Sequence, residues 1–480
     1  MRKNNIIASR LRNIKIYDNL DVISGLDLLL FVFGSLINTF AYLSIQPLIV
    51  AILVFGIGFG ILLFGNVGGY YERRMYSKTF IMYWLISGVS AVYANHFNDM
   101  NQLYSDAGGF FLLASDNNRL KSIDEIKKIT NGSFAVIIWG NTYDFFSWFG
   151  IARERFIGIL INILAVSFTG VISIKTARIL YGNDFYRFQR LIILFTYCGM
   201  FWLFAGIHVR DAIVLFFITS IVYVWVLFLS KPYIDFKFIL IILVTFFSGP
   251  ILSNLRDNFF YLPIGVMALA VTALMFSKKK QRSQQITYFF LIVGLIISGY
   301  LISTYFGNIG DSLKIGNENY SNAVHDTAAS GSLGASLIVN QSLPVRLIFG
   351  AISLFVYPIP IWDGFQLESA YHLFKALNTI FFYGVIPLFV LSIYILIQDK
   401  SLHSPQFLFL VFLFFVFLYS VVMTSLETRH LGVFYVPLLL LVLIPDLRQK
   451  IVKDNYKKLL SIMLWGMVIV HLFWVILKYH

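Results

Sequence analysis

Met200-Phe-Trp-Leu-Phe-Ala-Gly-Ile-His-Val-Arg-Asp-Ala-Ile-Val-Leu-Phe216 decides how this chain is read. A long apolar run stops once, at His208, Arg210 and Asp211, and then resumes. Charges between two segments of membrane quality are expensive, so such an interruption marks a candidate functional site. The rest of the chain has the same character. Of its 480 residues 58% are hydrophobic, 18% aromatic and only 13% charged, with a mean hydropathy of +0.78. Soluble domains are about half apolar and about a quarter charged. The expected fold is therefore all-α: a polytopic integral membrane protein, one membrane domain over 1–480.

A membrane span needs about 20 apolar residues. Candidate spans are 24–45, 47–66, 79–95, 155–175, 190–206, 210–230, 237–253, 257–276, 287–306, 376–397, 405–425, 431–446 and 459–478. Residues 1–23 are polar and basic and lead into a run of full spanning length, so no cleavable signal peptide is expected. The segment 346–361 is ambiguous. It is short and ends in Tyr357-Pro-Ile-Pro360, where two prolines disfavour helix. Charge decides between its two readings. With 1–23 inside and 346–361 returning to its own side, 24 of the 37 Lys and Arg fall inside and 13 outside. A full crossing changes the split to 21 against 16 and moves the basic loop 448–458 outside. The preferred topology is thus about 13 spans with a re-entrant Pro hairpin over 346–375, cytoplasmic N-terminus first. Irregular backbone at membrane depth must be surrounded by protein or line a cavity.

Two long loops then lie outside, 96–154 and 307–345. The first holds an amphipathic piece at 123–130 and an aromatic belt at 134–150, with Trp139, Tyr143, Phe145, Phe146, Trp148 and Phe149 suited to the headgroup level. The second is rich in Gly, Asn and Ser and is a candidate lid. The single Cys198 excludes a disulfide framework and any Cys metal site. Histidines are scattered with no zinc motif, and a divalent cation has no motif to support it. The formal charge of +13 follows from cytoplasmic tracts and does not call for nucleic acid.

The remaining charges collect on the outer face. Asp106 lies in Tyr104-Ser-Asp-Ala-Gly-Gly-Phe-Phe111. Three tight outer turns each place an Arg beside an acid or a His: His208, Arg210 and Asp211; Arg256 and Asp257; Glu427, Arg429 and His430. His325 lies in the second long loop. Outer turns should be Arg-poor, so each Arg needs a reason. The guanidinium is a permanently charged fork matched to phosphate oxygens. Two or three at a cavity rim could hold a pyrophosphate and neutralise it as it departs. Asp106 is the first choice for taking the proton of an acceptor hydroxyl. Plainer roles compete: Arg210-Asp211 as a self-neutralising pair, Asp106 as a helix cap, Arg429 as a snorkelling side chain, and His325 as an ordinary loop residue.

In this order the signals resemble the polytopic glycosyltransferases of the GT-C superfamily and the surface-polysaccharide polymerases of the Wzy (O-antigen polymerase) and EpsG type. The ordered signals are Tyr104-Ser-Asp-Ala-Gly-Gly, Ile207-His-Val-Arg-Asp-Ala, Leu255-Arg-Asp, Ser330-Gly-Ser-Leu-Gly before Tyr357-Pro-Ile-Pro, and Glu427-Thr-Arg-His. The resemblance implies a polyprenyl-phosphate or pyrophosphate-linked donor (undecaprenyl in bacteria), a glycan acceptor, and catalysis at the outer face of the inner membrane. It also implies a chain-length-regulating co-polymerase as a partner. Asp106 matches the first-loop acid of GT-C enzymes, and Arg210, Arg256 and Arg429 match the polymerase arginines. Two departures stand out: the first loop lacks an Asp-x-Asp or Glu-x-Asp pair, and there is no large soluble C-terminal domain. Repeat-unit polymerisation is the leading expectation, with single-sugar transfer and glycan ligation as alternatives. The competing non-enzymatic class is a flippase for lipid-linked oligosaccharides. That class should carry charges near the middle of its spans.

Overall fold

The computed structural model describes residues 22–65, 68–103, 105–116, 123–130, 132–232, 236–256, 259–277, 342–365, 368–399, 403–424 and 427–479. The expected span at 287–306, most of the loop 307–345, His325 and Asp257 fall outside these residues. Among those described, every regular element is helical. In order they are α1 (Gly25–Tyr42), α2 (Gln46–Phe64), α3 (Tyr70–His96), α4 (Met100–Leu103), α5 (Asp106–Ser115), α6 (Ile123–Lys127), α7 (Ser133–Ser147) and α8 (Arg155–Tyr181). There follow α9 (Phe185–Tyr197), α10 (Gly199–Gly206), α11 (Asp211–Ser230), α12 (Phe236–Leu255), α13 (Leu262–Phe276) and α14 (Leu343–Val356). The last are α15 (Ala370–Gln398), α16 (Pro405–Thr424), α17 (Thr428–Gly432), α18 (Tyr435–Leu441) and α19 (Lys450–Tyr479).

Seven of these are long and apolar enough to cross a membrane, or eight if the bent pair α9–α10 is one crossing. The predicted segments 237–253, 257–276 and 346–361 overlap shorter apolar helices, Ile239–Leu255, Leu262–Phe276 and Pro344–Val356. The expected 79–95 is the second half of a 27-residue helix, α3, whose first turns carry Glu72, Arg73, Arg74 and Lys78. Helices α3, α8 and α11 form the centre, and α1 lies along α3. Gly34 makes that contact close, because a Cβ there would stand 2.9 Å from the Leu85 Cα. Peripheral helices keep their Leu, Ile and Phe side chains outward; α19 is almost wholly uncovered. In a bilayer those side chains meet lipid tails as apolar as themselves.

Ion pairs mark one end of the bundle: Lys78 with Asp27 and Arg178 with Glu72, both at 2.6 Å, and Arg448 with Asp184 at 3.0 Å. The turns at 97–106, 207–210, 256 and 427 gather at the other end. A helix crossing is interrupted in two places where the sequence predicts continuity. The predicted span 190–206 breaks at Cys198 with a 56° bend between α9 and α10. Its freed backbone groups are met by neighbours, as membrane depth demands. The Phe195 carbonyl accepts from the Tyr83 hydroxyl at 2.7 Å and the Thr196 carbonyl from Trp202 Nε1 at 2.7 Å. The Met200 N–H donates to Asn378 Oδ1 at 3.1 Å.

The predicted span 431–446 is likewise not one helix. It passes through the protein interior as α17, α18 and a final non-helical stretch, buried from Leu431 to Ile444. Its closing carbonyls are taken by side chains from α8 and α9. Tyr181 donates to the Leu440 carbonyl, Arg187 to those of Leu443 and Ile444, and Arg190 to those of Val442 and Pro445.

Arg346 reaches the Met423 carbonyl near the end of α16, and the Tyr357 carbonyl accepts from Thr379 at 2.6 Å. Thr379 is nine residues into α15, which is about 14 Å of helix. Pro358 and Pro360 both follow cis peptide bonds and lead into a short 3-10 turn at Ile361–Gly364.

The first long loop differs from expectation in one respect. Only Phe145, Trp148 and Phe149 of the predicted aromatic belt are exposed; Trp139, Tyr143 and Phe146 point into the core. The amphipathic piece is a single short helix, α6, with Ile126 buried.

Candidate functional site

Residues 207–210 link α10 to α11 as a short non-helical turn in which the Val209 N–H bonds back to the Ile207 carbonyl, and Asn162 on α8 fixes that link. Its amide donates to the carbonyls of Ile207 at 3.1 Å and Val209 at 2.9 Å, while its oxygen accepts from Trp139 Nε1. Arg210 and Asp211 are thereby delivered to the start of α11, where a carboxylate suits the helix N-terminus. Asp211 is buried and becomes the centre of a cluster. Arg256 Nη2 approaches one of its oxygens at 3.6 Å, and Arg429 Nε approaches the other at 3.6 Å. Arg429 Nη2 also reaches Asp106 at 3.2 Å. Arg210 lies over the Phe110 ring at 5.4 Å and Arg256 over Phe259 at 5.4 Å. Three turns distant in the sequence thus converge on one carboxylate.

The donors of this cluster are under-used. Arg210 Nη1, Arg256 Nε and Arg429 Nε are buried with no hydrogen-bond acceptor among the described residues. Burial followed by the neighbouring Arg256 charge disfavours the cationic form of Arg210, yet a guanidinium stays protonated in proteins. Such a cation gains from any anion brought beside it. For Arg429, burial opposes the charge, but the carboxylates, Asp211 foremost, outweigh it and hold the cation more firmly than usual.

Glu427 sits on the flank. It accepts from Tyr371 at 2.8 Å and from Lys375 at 3.1 Å, and its carboxylate caps α17 through the Arg429 N–H at 3.4 Å. Burial would raise its pKa, but Lys375 and the Tyr371 hydroxyl pull it down to about 2. Burial, then Arg256, pushes the His430 imidazole down to about 3, so it is neutral and can donate one hydrogen bond.

The structure therefore gathers Asp106, Arg210, Asp211, Arg256 and Arg429 with Glu427 and His430 beside them. Asp106 is the first residue of α5 rather than its cap; Ser105 holds the cap position. The glycines after it divide their roles. Gly108 is pressed against the chain's own Leu103 carbonyl, while Gly109 faces open space. His208, expected at the phosphate, is turned away. It is buried against Trp139, with ring centroids 4.1 Å apart, and 3.1 Å from the Tyr143 hydroxyl. Asp99 is structural, accepting from Gln102 and from the Ala370 N–H. Sequence reasoning missed Lys375 and Tyr371. Lys375 falls one residue before the predicted span 376–397, and a lysine at that border signals a buried partner.

Burial, with Arg155 adding to it, pushes the His208 imidazole down to about 3. In the unfolded chain a histidine titrates near about 6.5. As pH falls from there toward 3, the unfolded state takes up a proton that the fold refuses, so stability falls with pH. His208→Gln is expected to shrink the drop in thermal unfolding temperature between about pH 7 and pH 5. His430 titrates over the same window, so the slope shrinks rather than vanishes. An unchanged slope would remove His208 as its source.

Two surface clefts lie elsewhere. One of about 380 Å³ runs along Lys457, Leu464 and Trp465 on α19. Another of about 340 Å³ lies between Arg74 and Lys78 on α3 and Ile193 and Tyr197 on α9. Neither touches the arginine cluster, and neither brings a carboxylate into its wall. Among the described residues no group of three or more His, Cys, Asp or Glu could hold a metal ion. Comparison with known protein families, curated proteins and solved structures gives no match.

Proposed function

We propose that this chain is a membrane glycosyltransferase that takes its sugar from a polyprenyl-phosphate or pyrophosphate donor at the extracytoplasmic face. Assembly of a bacterial surface polysaccharide by joining repeat units is the leading case. The observation that carries this reading is the convergence of Arg256 and Arg429 on buried Asp211, beside Arg210, with one buried nitrogen on each of the three guanidiniums lacking a hydrogen-bond acceptor among the described residues. Buried, fixed cations of this kind fit an anion whose charge grows during reaction. The acceptor hydroxyl oxygen attacks the anomeric carbon as the bond from that carbon to the donor phosphate oxygen breaks. The electron pair leaves with the phosphate, held by the arginines, and the hydroxyl proton goes to the Asp106 carboxylate. Neutral His430 supplies a hydrogen bond. Single-sugar transfer and ligation share this chemistry and differ in the acceptor.

A flippase would need a polar route between the two ends. Among the described residues the large aromatics Phe80, Tyr83, Trp84, Phe195 and Phe201 are fully buried in the bundle interior, which supports the enzyme. The extracytoplasmic assignment rests on the basic residues at the opposite end, which the positive-inside rule places in the cytoplasm. The test is a proteoliposome assay with undecaprenyl-pyrophosphate-linked repeat units. Wild type is expected to make polymer, with Arg210→Ala and Asp106→Ala slower by about 100-fold. Variants as fast as wild type would overturn the site. A wild type inert with every pyrophosphate-linked and monophosphate-linked donor would overturn the reading itself.

A further inference from the structure

The two carboxylates on Arg429 are not equivalent. Asp211 is held from two sides at 3.6 Å and its side chain is 2% exposed, whereas Asp106, among the described residues, meets the Nη2 of Arg429 and is 60% exposed. One is a fixed counter-ion and the other can leave. The backbone beneath Asp106 is pinned by the Gly108 contact with the Leu103 carbonyl, while the space beside Gly109 is open. Side-chain rotation of Asp106 therefore vacates Arg429 without moving α5.

Charge follows the same line. Among the described residues three guanidiniums face two carboxylates; Lys375 and Glu427 cancel each other, and His430 is neutral. Counted over the described residues, the cluster carries an excess of one positive charge with Asp106 in place and two once it departs. We propose that Asp106 is the built-in occupant of the outer half of this anion site. A diphosphate diester displaces its carboxylate from Arg429, and only then is that carboxylate free to take the acceptor's proton. A monophosphate diester, with one negative charge, is matched without displacement. This inference rests on the phosphate half of the function proposed above. It adds that donor binding and base release are one event. An exposed ion pair is weak enough to be exchanged in this way, and a guanidinium fork prefers phosphate oxygens in bidentate geometry.

The test uses the full chain in nanodiscs, with P1,P2-dimethyl pyrophosphate (two negative charges) and dimethyl phosphate (one negative charge) as the pyrophosphate and phosphate probes in calorimetric titrations. Asp106→Asn removes the competing charge while keeping its shape. It is expected to tighten pyrophosphate binding by about tenfold, to change phosphate binding little, and to slow transfer. Arg429→Gln should abolish the difference between the two proteins. If wild type binds pyrophosphate and Asp106→Asn binds it no better, displacement is wrong and the phosphate site stands. If both probes tighten equally, the preference for a diphosphate is wrong. If neither protein binds either anion, while thermal unfolding shows both folded, the displacement and the phosphate reading fall together.

Discussion

Arg429→Ala is expected to lower the transfer rate by about 100- to 1,000-fold, the effect of removing one fixed donor from a developing anion. It is the largest loss expected of any single arginine here. Among the described residues Arg429 alone touches both Asp106 and Asp211, and its backbone N–H ties it to Glu427. Truncation leaves the buried Asp211 with Arg256 at 3.6 Å as its remaining ion pair, and uncovering a buried charge is costly. Arg429→Lys should recover little, because an ammonium cannot bridge two carboxylates as a planar fork does. The check is turnover measured alongside unfolding temperature. A loss of turnover no larger than that of a neutral surface arginine such as Arg448→Ala would refute the role. So would a loss explained wholly by unfolding.

Gly199→Ala is expected to produce the largest loss of stability. Gly199 opens α10 directly after the break at Cys198 and lies against the backbone of α15. An added Cβ would stand 2.7 Å from the Asn378 Cα and closer still to the Asn378 N. Both obstacles are main chain, so no rotamer change relieves them. Forced overpacking of a tight interior costs about 1–3 kcal/mol. The same shift would pull Asn378 from the Met200 N–H and the Tyr435 hydroxyl that it bridges. Thermal unfolding in detergent should fall by several degrees, and size exclusion should show aggregation. Gly265→Ala, where the new methyl meets nothing within 4 Å, is the control. Equal stability of the two variants would show that the contact yields.

Much of this arrangement was legible in the sequence. Apolar runs gave the helices because a bilayer leaves the backbone few other ways to satisfy itself. The arginine turns at 210, 256 and 429 stood out because outer turns rarely keep arginine, and the fold brings them together. Two prolines within three residues marked the end of helix α14 at Val356. The interruptions at Cys198 and between α17 and α18 were not legible. Leu, Phe and Val around them favour helix or strand equally. Their partners, Asn378, Tyr83, Arg187 and Arg190, are remote in the chain. The direction of His208 was hidden for a related reason. On a non-helical turn it is set by Asn162, some 45 residues earlier, rather than by any local period. Helix α7 misled because aromatic residues suit a headgroup belt and a protein core alike.

The buried path from Leu431 to Pro445 bears on how the protein is made. This stretch is enclosed by protein, and five of its last six carbonyls accept side chains from other segments. The residues that close those carbonyls, Tyr181, Arg187 and Arg190, and the helices it packs against, α8, α9, α15 and α16, all precede it in the chain. During vectorial synthesis the receiving groove therefore exists before the segment leaves the ribosome. Helix α19 follows it, with 6% of its apolar stretch buried.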